Sequence, residues 1–594
     1  MTNAQRILHP YRTLRPSFLR QRLPLAWGLA TLLLTNLFTF VGPWVMKQAI
    51  DGLQATLTAA ALLRYCALIL GAALLQGLFR YWSRLLIIGV SREVEFDLRN
   101  LAFARLLAQT PSFFQRYRTG DLMNRTTADI ESVRMVLGPG IMQLANTVIT
   151  YVIAIAMMLS LDPQLTLWSL LPMPAIAVVM YYSAQSFHSR FRDVQVHQAR
   201  LNTVVQENFS GIRVVKTYGL ESIQRTAFIA ANRDYLARNM RLARALGFFH
   251  PLVAMVAGLG TLIVLWSGGR RIIAGESTLG TLVAFMALFG LLTWPTIALG
   301  WVVSLFQRGS SAMGRINEIL EAAVEVTDPV DPLPPSASTA GAALEVRELT
   351  FSYPGRDQPA LRGISFRIAA GERVAIVGRT GSGKTTLLSL LPRLWAVADG
   401  SIFIDGIDIN RLLLSRLRAG IGFVPQETFL FSESLAANIA LPADADDVPP
   451  LPAVQAAADL AQFSGDVRGF PEGWRTIVGE RGITLSGGQK QRAAIARALL
   501  RQPRLLILDD ALSSVDTETE ELILDGVMKA HPERTVLFVS HRLSTMRRAD
   551  RILVFADGRL EESGTHEALL ARDGAYRRLV DQQVLAEELE REDA

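Results

Sequence analysis

The sequence has little cysteine and no concentrated basic stripe. Cys66 is the single cysteine among 594 residues, which excludes an internal disulfide and a metal site built from several thiolates. The formal net charge is +6, but the basic residues are not gathered into a stripe interleaved with aromatic side chains. We therefore expect no nucleic-acid partner, and contact with the inner membrane leaflet is the simpler interpretation of the charge.

Acidic residues are absent from residues 1–24, which carry Arg6, Arg12, Arg15, Arg20 and Arg22. The apolar run that follows is too long for the core of a signal peptide and shows no clear cleavage site. We interpret residues 1–24 as a cytoplasmic amphipathic lead-in.

Hydrophobic residues make up 50% of the chain, and its length exceeds what one core can organise. Six apolar runs approach or exceed the roughly 20 residues that cross a bilayer as a helix. The six runs lie near residues 25–46, 60–90, 139–160, 163–185, 247–267 and 279–306. Their length and number argue against core helices of a soluble protein, so six spans are predicted within residues 25–320.

The connections between the runs alternate between short and long. The two long ones, 91–138 and 186–246, and the amino-terminal lead-in hold most of the basic residues of this half. Basic residues favour the cytoplasmic side, so we expect an inner or plasma membrane protein with both termini in the cytoplasm. Each long connection contains a glycine-centred turn candidate, Tyr117–Arg125 and Glu207–Lys216, which from composition is either a solvated loop or a functional contact.

The composition changes after the membrane half. Residues 321–344 are rich in proline and predict an extended linker. Residues 345–582 alternate short β-rich runs with helical stretches, which is typical of an α/β nucleotide-binding domain. The last residues, 583–594, predict a solvated charged tail.

A phosphate-binding loop is predicted at Gly378–Thr385, between an apolar strand at Arg373–Val377 and a helix start. Its backbone N–H groups would face a triphosphate, Lys384 would meet the outer phosphates, and the Thr385 hydroxyl would hold Mg²⁺. The candidate ATP-binding residues here are Gly378, Arg379, Thr380, Gly381, Ser382, Gly383, Lys384, Thr385 and Thr386.

Two further segments suit the same chemistry. The strand Leu505–Asp509 ends in a carboxylate placed to order Mg²⁺, and Asp510 follows it where a base could polarise water or merely support the metal site. Leu485–Gln489 predicts a small-residue turn that opens a helix, which is a second anion site.

Together these motifs resemble the ATP-binding cassette (ABC) domain, over residues 345–582. The resemblance assigns Ser486, Gly487, Gly488 and Gln489 to the ATP-binding signature. It makes Tyr353 the aromatic that stacks on adenine, Gln426 a residue that touches the metal, and His541 the switch histidine at the γ-phosphate. In this family two cassettes face head to tail, so each ATP lies between one chain's phosphate loop and the other chain's signature.

The membrane half resembles the six-helix exporter type, which implies a six-span α-helical transmembrane domain followed by an α/β phosphate-loop domain. In that family Thr119–Arg125 and Ser210–Lys216 stand where coupling helices meet the cassettes, and Thr476–Arg481 resembles the loop that touches them. The expected partners are a second half-transporter, membrane lipid and a small apolar or amphipathic substrate.

One position departs from the family. The residue after the Walker B aspartate is usually Glu, whereas here it is Asp510, shorter by one methylene. The chain resembles the first member of heterodimeric multidrug-type pairs, in which a slow site on one chain is combined with a partner that supplies the glutamate. The alternative is a homodimeric lipid or drug exporter that uses Asp510 as its base.

The resemblance thus implies an ATPase that drives export across the cytoplasmic membrane. An ATP-gated channel or regulator is a second hypothesis, although neither a phosphorylatable insertion nor a charged pore is evident. The order of the domains disfavours an importer, and the predicted spans exclude a soluble cassette protein.

Overall fold

The computed structural model describes residues 9–53, 58–335, 340–441, 448–479, 482, 485–540 and 542–592. The chain separates into two units. One contains the described residues of Met1–Leu107 and Thr119–Ala322, and the other those of Ala108–Arg118 and Ala323–Ala594. His541 and parts of the segment Thr476–Arg481 lie outside the described residues.

The first unit is helical, and the helix α4 of its first connection belongs to the second unit. A 3-10 turn at His9–Leu14 precedes the helices. In order these are α1 Arg15–Arg20, α2 Arg22–Leu53, α3 Ala59–Leu107, α4 Pro111–Arg116, α5 Thr119–Leu161, α6 Pro163–Leu170, α7 Pro172–Ser210, α8 Ile212–Thr217, α9 Glu221–Ile273 and α10 Leu279–Leu320.

Five of these helices are long and apolar enough to cross a membrane in the part of the chain that the structure describes: α2, α3, α5, α9 and α10. The predicted fourth span, residues 163–185, is divided between α6 and α7. Pro172 stands at the first position of α7, and a proline cannot supply the N–H that would continue α6. The apolar run is therefore present, but it is not one continuous helix.

The first unit has two apolar cores. One joins α5, α6, α9 and α10 around Met158, Leu165 and Phe285. The other joins α3, α5 and α10 around Val94, Ile130 and Met313, and Leu14 of the amino-terminal turn is buried in it. The described end of the lead-in is thus anchored by packing.

The two cytoplasmic turns differ from each other. In the second connection α7 ends at Ser210 and α8 begins at Ile212, so the turn is centred on Gly211 as the sequence predicts. In the first connection Thr119–Asn124 is already helical and begins α5. The turn lies earlier, at residues 108–118, where Ser112 Oγ donates a hydrogen bond of 2.7 Å to Glu325 Oε2. The prediction of a turn at Tyr117–Arg125 holds only for Tyr117 and Arg118, because Thr119–Asn124 is helical and Gly120 lies in the first turn of that helix.

The second unit contains two sheets. Its strands are β1 Leu344–Phe351, β2 Leu361–Ile368, β3 Arg373–Gly378, β4 Ile402–Ile404, β5 Ile407–Asp408, β6 Ile421–Val424, β7 Leu505–Asp509, β8 Thr535–Val539, β9 Arg551–Ala556 and β10 Arg559–Gly564. An antiparallel sheet has the order β2-β1-β4-β5, and a mainly parallel sheet has the order β10-β9-β3-β8-β7-β6.

The parallel sheet is covered on both faces. Along β3, Val374 and Ile376 join one core while Ala375 and Val377 join the other, as alternate side chains of a strand must. The carboxyl ends of β3 and β7 lie at the same edge with β8 between them. Ligands of open parallel sheets bind at that edge.

The helices of the second unit after α10 are short except at its carboxyl end. They are α11 Lys384–Leu390, α12 Leu414–Ala419, α13 Leu435–Ala440, α14 Leu451–Leu460, α15 Ser464–Arg468, α16 Gly487–Leu500, α17 Thr517–Ala530, α18 Leu543–Met546, α19 His566–Leu570 and α20 Ala575–Glu592. Helix α11 follows β3 through the phosphate loop, and α16 begins within the signature.

Candidate ATP site

The phosphate loop connects β3 to α11 through backbone conformations that require glycine. Gly378 has a φ of 150° and Gly383 a φ of 102°, a region that residues with a side chain rarely adopt. A Cβ at Gly378 would also lie 2.2 Å from the carbonyl oxygen of Phe555. These glycines let the loop turn tightly into the start of α11.

Lys384, the first residue of α11, is buried and folds back over the loop. Its Nζ donates hydrogen bonds to the carbonyl oxygens of Gly378, at 2.7 Å, and Arg379, at 2.9 Å. Burial lowers the pKa of the ammonium group, and the charges of Asp509 and Asp510 oppose that shift. The loop therefore presents a partly desolvated cation to its binding side.

A cavity of 1230 Å³ opens beside this loop at the carboxyl ends of β3 and β7. It brings together the predicted residues Tyr353, Thr380, Gly381, Gly383, Lys384, Thr385, Thr386, Gln426, Asp509 and Asp510. Arg379 and Ser382 line a separate cavity of 340 Å³ on the other side of the loop. The main cavity is large enough for a nucleotide and polar where phosphates would lie.

The residues predicted to hold the metal meet at the end of β7. Thr385 Oγ1 donates a hydrogen bond of 3.1 Å to Asp509 Oδ1. Asp509 is 1% exposed and its Oδ2 has no hydrogen-bond partner among the described residues. Burial raises the pKa of this carboxyl, and the hydrogen bond from Thr385 opposes the shift. A buried carboxylate oxygen without a partner, beside a hydroxyl, fits a hard divalent cation.

Gln426 and Asp510 lie at the rim of the same cavity. Gln426 Nε2 is 3.4 Å from Asp510 Oδ2 and donates to it. Asp510 has a φ of 49°, a left-handed conformation that aspartate tolerates better than most residues. Its backbone oxygen accepts a hydrogen bond of 3.0 Å from Ser513 Oγ. The left-handed backbone conformation of Asp510 thus directs its carboxylate, which is one methylene shorter than that of Glu, toward the cavity.

Tyr353 contributes an aromatic wall. Its hydroxyl shares a hydrogen bond of 2.9 Å with Thr386 Oγ1, and its ring meets Trp395 edge to face at a centroid distance of 4.9 Å. The ring is half-buried and lines the cavity. This arrangement is suited to stacking against a flat base.

The signature residues form the amino-terminal turn of α16. Ser486 caps the helix, with Gln489 N donating to Ser486 Oγ at 3.2 Å and Ser486 N donating to Gln489 Oε1 at 2.9 Å. Gly487 and Gly488 pack against Ser514, and a Cβ at Gly488 would lie 2.8 Å from the Ser514 carbonyl oxygen. None of these four residues lines the main cavity in the described part of the chain. The two halves of a site thus lie apart within one chain.

The signature helix is also tied to the loop after Asp510. Gln491 Nε2 donates to Ser513 Oγ at 3.1 Å, and Ser514 N donates to Gln491 Oε1 at 3.0 Å. Asp466 accepts from both Gln489 and Arg492. The sequence did not single out Gln491 or Asp466, because their partners are distant in the chain and no spacing links them.

The cavity contains residues that motif analysis missed. Arg356 and Arg362 line it beside Tyr353, and Gln115 from the first connection lines it as well. The arginines lie close to Tyr353 in sequence and could have been suspected as cations near a phosphate ligand. Nothing in the sequence connects Gln115 to a cavity formed by residues more than 200 positions away.

A strand, phosphate loop and helix, with a buried aspartate at the end of the next strand but one in the same sheet, are typical of an ATP-hydrolysing domain, and this domain is joined to long apolar helices. Residues 25–296 match the ABC transporter transmembrane region, and residues 361–513 match the ABC transporter domain. The chain belongs to the ABC exporter family, and it is an ATPase coupled to transport.

Its relatives are similar along most of their length. The chain is 37% identical over 552 residues to the Multidrug resistance-like ATP-binding protein MdlA of Escherichia coli (strain K12), covering 93% of this chain and 92% of that protein. It is 35% identical over 548 residues to the ATP-dependent lipid A-core flippase of Aromatoleum aromaticum, covering 90% of each.

A solved structure shares the fold. The structure of a bacterial Atm1-family ABC exporter with ATP bound superposes with a TM-score of 0.77 at 30% identity, over 96% of this chain and 98% of that one. The fold class expected from the sequence, helical membrane domain first and α/β cassette second, is confirmed. The region of α6 and α7 thus occupies the place of the fourth span in a six-span fold.

Proposed function

We propose that this chain is one half of a heterodimeric exporter that expels apolar or amphipathic molecules and carries a slow ATP site on its own phosphate loop. The observation that carries the proposal is Asp510 at the position where the family usually has Glu. A carboxylate shorter by one methylene reaches about 1 Å less far, and misplacement of that order costs about a hundredfold in rate. The ordered signature turn is meanwhile suited to complete a fast site on a partner.

The residues of the cavity take distinct roles in this proposal. The loop N–H groups and Lys384 bind and orient the phosphates of ATP. Thr385, Asp509 and Gln426 hold Mg²⁺, which supplies charge neutralisation at the outer phosphates when it is bound. Asp510 polarises the attacking water, and Tyr353 stacks on the adenine. His541 is assigned to the γ-phosphate by resemblance alone.

The export cycle follows from family membership and differential binding. ATP binding favours closed cassettes, which draw the coupling turns at residues 108–118 and at Gly211 together and open the membrane domain outward. Hydrolysis and phosphate release reset the cycle. The proposed location is the inner or plasma membrane, with both termini and the cassette in the cytoplasm.

The names of the relatives support an amphipathic substrate. One relative is named multidrug resistance-like and another a lipid A-core flippase, and drugs and lipids share an apolar body with a polar part. Sealed inside-out vesicles that contain the assembled transporter should accumulate such a substrate on addition of Mg-ATP. The same vesicles without nucleotide are the control, and no accumulation by the transporter with Mg-ATP contradicts export.

The composition of the complex tests the heterodimer. A tagged copy of the chain is extracted from its native membrane in mild detergent, and the intact mass of the complex is measured. One equivalent of a different half-transporter supports the proposal. A dimer of this chain alone contradicts it, and both sites would then use Asp510 as base.

A further inference from the structure

Helices α7 and α9 enclose a cavity of 580 Å³ that is lined mainly by arginines. Arg190 and Asp193 of α7 face Arg238, Arg241 and Arg244 of α9, with Phe248 at one end. The residues of α9 recur at intervals of three or four, which puts them on one helical face. We call this group the arginine pocket.

The arginines of the pocket differ from others in the same unit. Arg315 lies 2.6 Å from Asp129, Arg125 lies 2.6 Å from Glu318, and Arg271 lies 2.8 Å from Asp162. The four pocket arginines have no ion pair within the described residues, although Asp193 lines the same space. Like charges at helical spacing destabilise a helix, and no ion pair within the described part of the chain offsets that cost.

The predicted span ends put Arg190, Arg241 and Arg244 at the level of lipid headgroups. The predicted span on α9 begins at residue 247, so a rise of about 1.5 Å per residue puts Arg244 and Arg241 roughly 5–9 Å below the apolar core. Headgroup regions extend about 5–8 Å from that core. Arg190 lies five residues beyond the predicted span end on α7, which gives a similar depth.

The two ends of the pocket have different chemistry. Phe248, 71% exposed, lies toward the membrane, and the rings of Phe187 and Phe249 join α7 to α9 there at a centroid distance of 5.1 Å. The arginines lie toward the cytoplasm. Guanidinium groups match phosphate oxygens with paired hydrogen bonds, while an aromatic side chain suits the start of an acyl chain.

We infer that the arginine pocket binds the phosphate headgroup of an anionic phospholipid from the cytoplasmic leaflet and is the site where such amphiphiles enter the exporter. The entry role rests on the proposed export function, whereas the binding does not. The net charge of the lining, four arginines against one aspartate, complements the headgroup.

Binding is measured on the full complex purified in mild detergent, without nucleotide, by native mass spectrometry with phosphatidylglycerol and with phosphatidylcholine. The Arg190→Ala/Arg241→Ala variant should raise the Kd for phosphatidylglycerol about thirtyfold, since each basic residue near a membrane surface contributes about 1 kcal/mol. Binding of phosphatidylcholine should change little.

The matched control is Arg192→Ala/Arg233→Ala, which removes one exposed arginine from each of the same helices outside the pocket. Its Kd for phosphatidylglycerol should rise less than about twofold if the pocket, rather than general surface charge, attracts the lipid. The Arg190→Lys/Arg241→Lys variant should retain most of the affinity. The site is overturned if the two alanine variants lose affinity for phosphatidylglycerol equally, or if Arg190→Ala/Arg241→Ala loses none. It is also overturned if the lysine variant binds as weakly as that alanine variant.

A second readout separates the site from the export function. Reconstituted vesicles with labelled phosphatidylglycerol should show Mg-ATP-dependent movement of the lipid that the Arg190→Ala/Arg241→Ala variant reduces and the control does not. If binding depends on the pocket but the unaltered complex moves no lipid, the entry role is overturned and the binding site stands. If binding itself is insensitive to the pocket, the site is overturned whether or not export occurs.

Discussion

The two ends of the cassette satisfy their polar groups in opposite ways. At the signature end Ser486 and Gln489 cap each other, and Gln491 bonds with Ser513 and Ser514. At the phosphate-loop end Asp509 has a buried oxygen without a partner among the described residues. Lys384 is held there by the carbonyl oxygens of Gly378 and Arg379 and by Ser382 Oγ.

This difference suggests that the two ends of one cassette have different roles in nucleotide binding. A surface whose hydrogen bonds are complete is presented rigidly to whatever docks on it, whereas a buried oxygen without a partner favours a ligand that satisfies it. This contrast fits the proposed arrangement, in which the signature end serves a partner's nucleotide and the phosphate-loop end serves the chain's own. The shortened carboxylate at Asp510 affects only the second of these tasks.

The largest expected effect is at the phosphate-loop end. Lys384→Ala removes a charged donor, which contributes about 1.5–3 kcal/mol per hydrogen bond, so ATP affinity at this chain's site should fall up to about a hundredfold. A fluorescent ATP analogue titrated onto the intact complex measures it. Lys529→Ala, at a lysine 80% exposed on α17, is the control, and a loss of similar size there would contradict a specific role.

The signature end should respond in the reverse manner. Gly488→Ala places a Cβ 2.8 Å from the Ser514 carbonyl oxygen, and overpacking of this kind costs about 1–3 kcal/mol. ATP turnover of the complex should fall about thirtyfold, while nucleotide affinity at this chain's phosphate loop should be unchanged. Gly465→Ala, where a Cβ meets nothing within 4 Å, should leave both unchanged. A weaker ATP affinity at this chain's phosphate loop in Gly488→Ala would contradict the proposed division of roles between the two ends of the cassette.

A smaller effect is expected at the aromatic wall. Tyr353→Ala should weaken ATP binding about tenfold, because stacking of a base on an aromatic ring contributes about 1–3 kcal/mol. Tyr353→Phe loses only the hydrogen bond to Thr386 and should weaken binding less than about threefold. Equal losses in the two variants would show that the hydroxyl rather than the ring matters.

The smallest effect is also the most informative. In a heterodimer with a slow site here, Asp510→Ala should change steady-state ATP turnover less than about twofold, whereas in a homodimer loss of the base should cost about a hundredfold or more. Turnover is measured on a complex whose composition has been established by intact mass. Abolished turnover in a proven heterodimer would overturn the assignment of a slow site.

Most of the fold and the cavity could be predicted from the sequence because they depend on local signals. Glycine and lysine spacing located the loop at Gly378–Thr385, and apolar runs ending in aspartate located β7. The contacts that arrange them are not local. Asp466 bonds to Arg492 across 26 residues, and no spacing rule predicts such a pair.

The misplaced first turn has the same origin. Gly120 looked like a turn centre, yet residues 119–124 are helical, with Leu122 buried. Propensity is a weak guide when tertiary contacts compete with it. The arginine pocket was likewise invisible, since its cations come from two helices about fifty residues apart.

The hydrogen bonds of Gln491 with Ser513 and Ser514 connect the signature helix α16 to the loop that follows Asp510. In the proposed arrangement Asp510, three residues before Ser513, faces the chain's own ATP. Gln491 lies two residues after Gln489, the last residue of the signature, which would face the partner's ATP. A displacement of the loop after Asp510 would therefore also displace α16, whose amino-terminal turn is proposed to contact the partner's nucleotide. In the proposed arrangement the opening and closing of the two sites are therefore coupled, even where one site rarely completes hydrolysis.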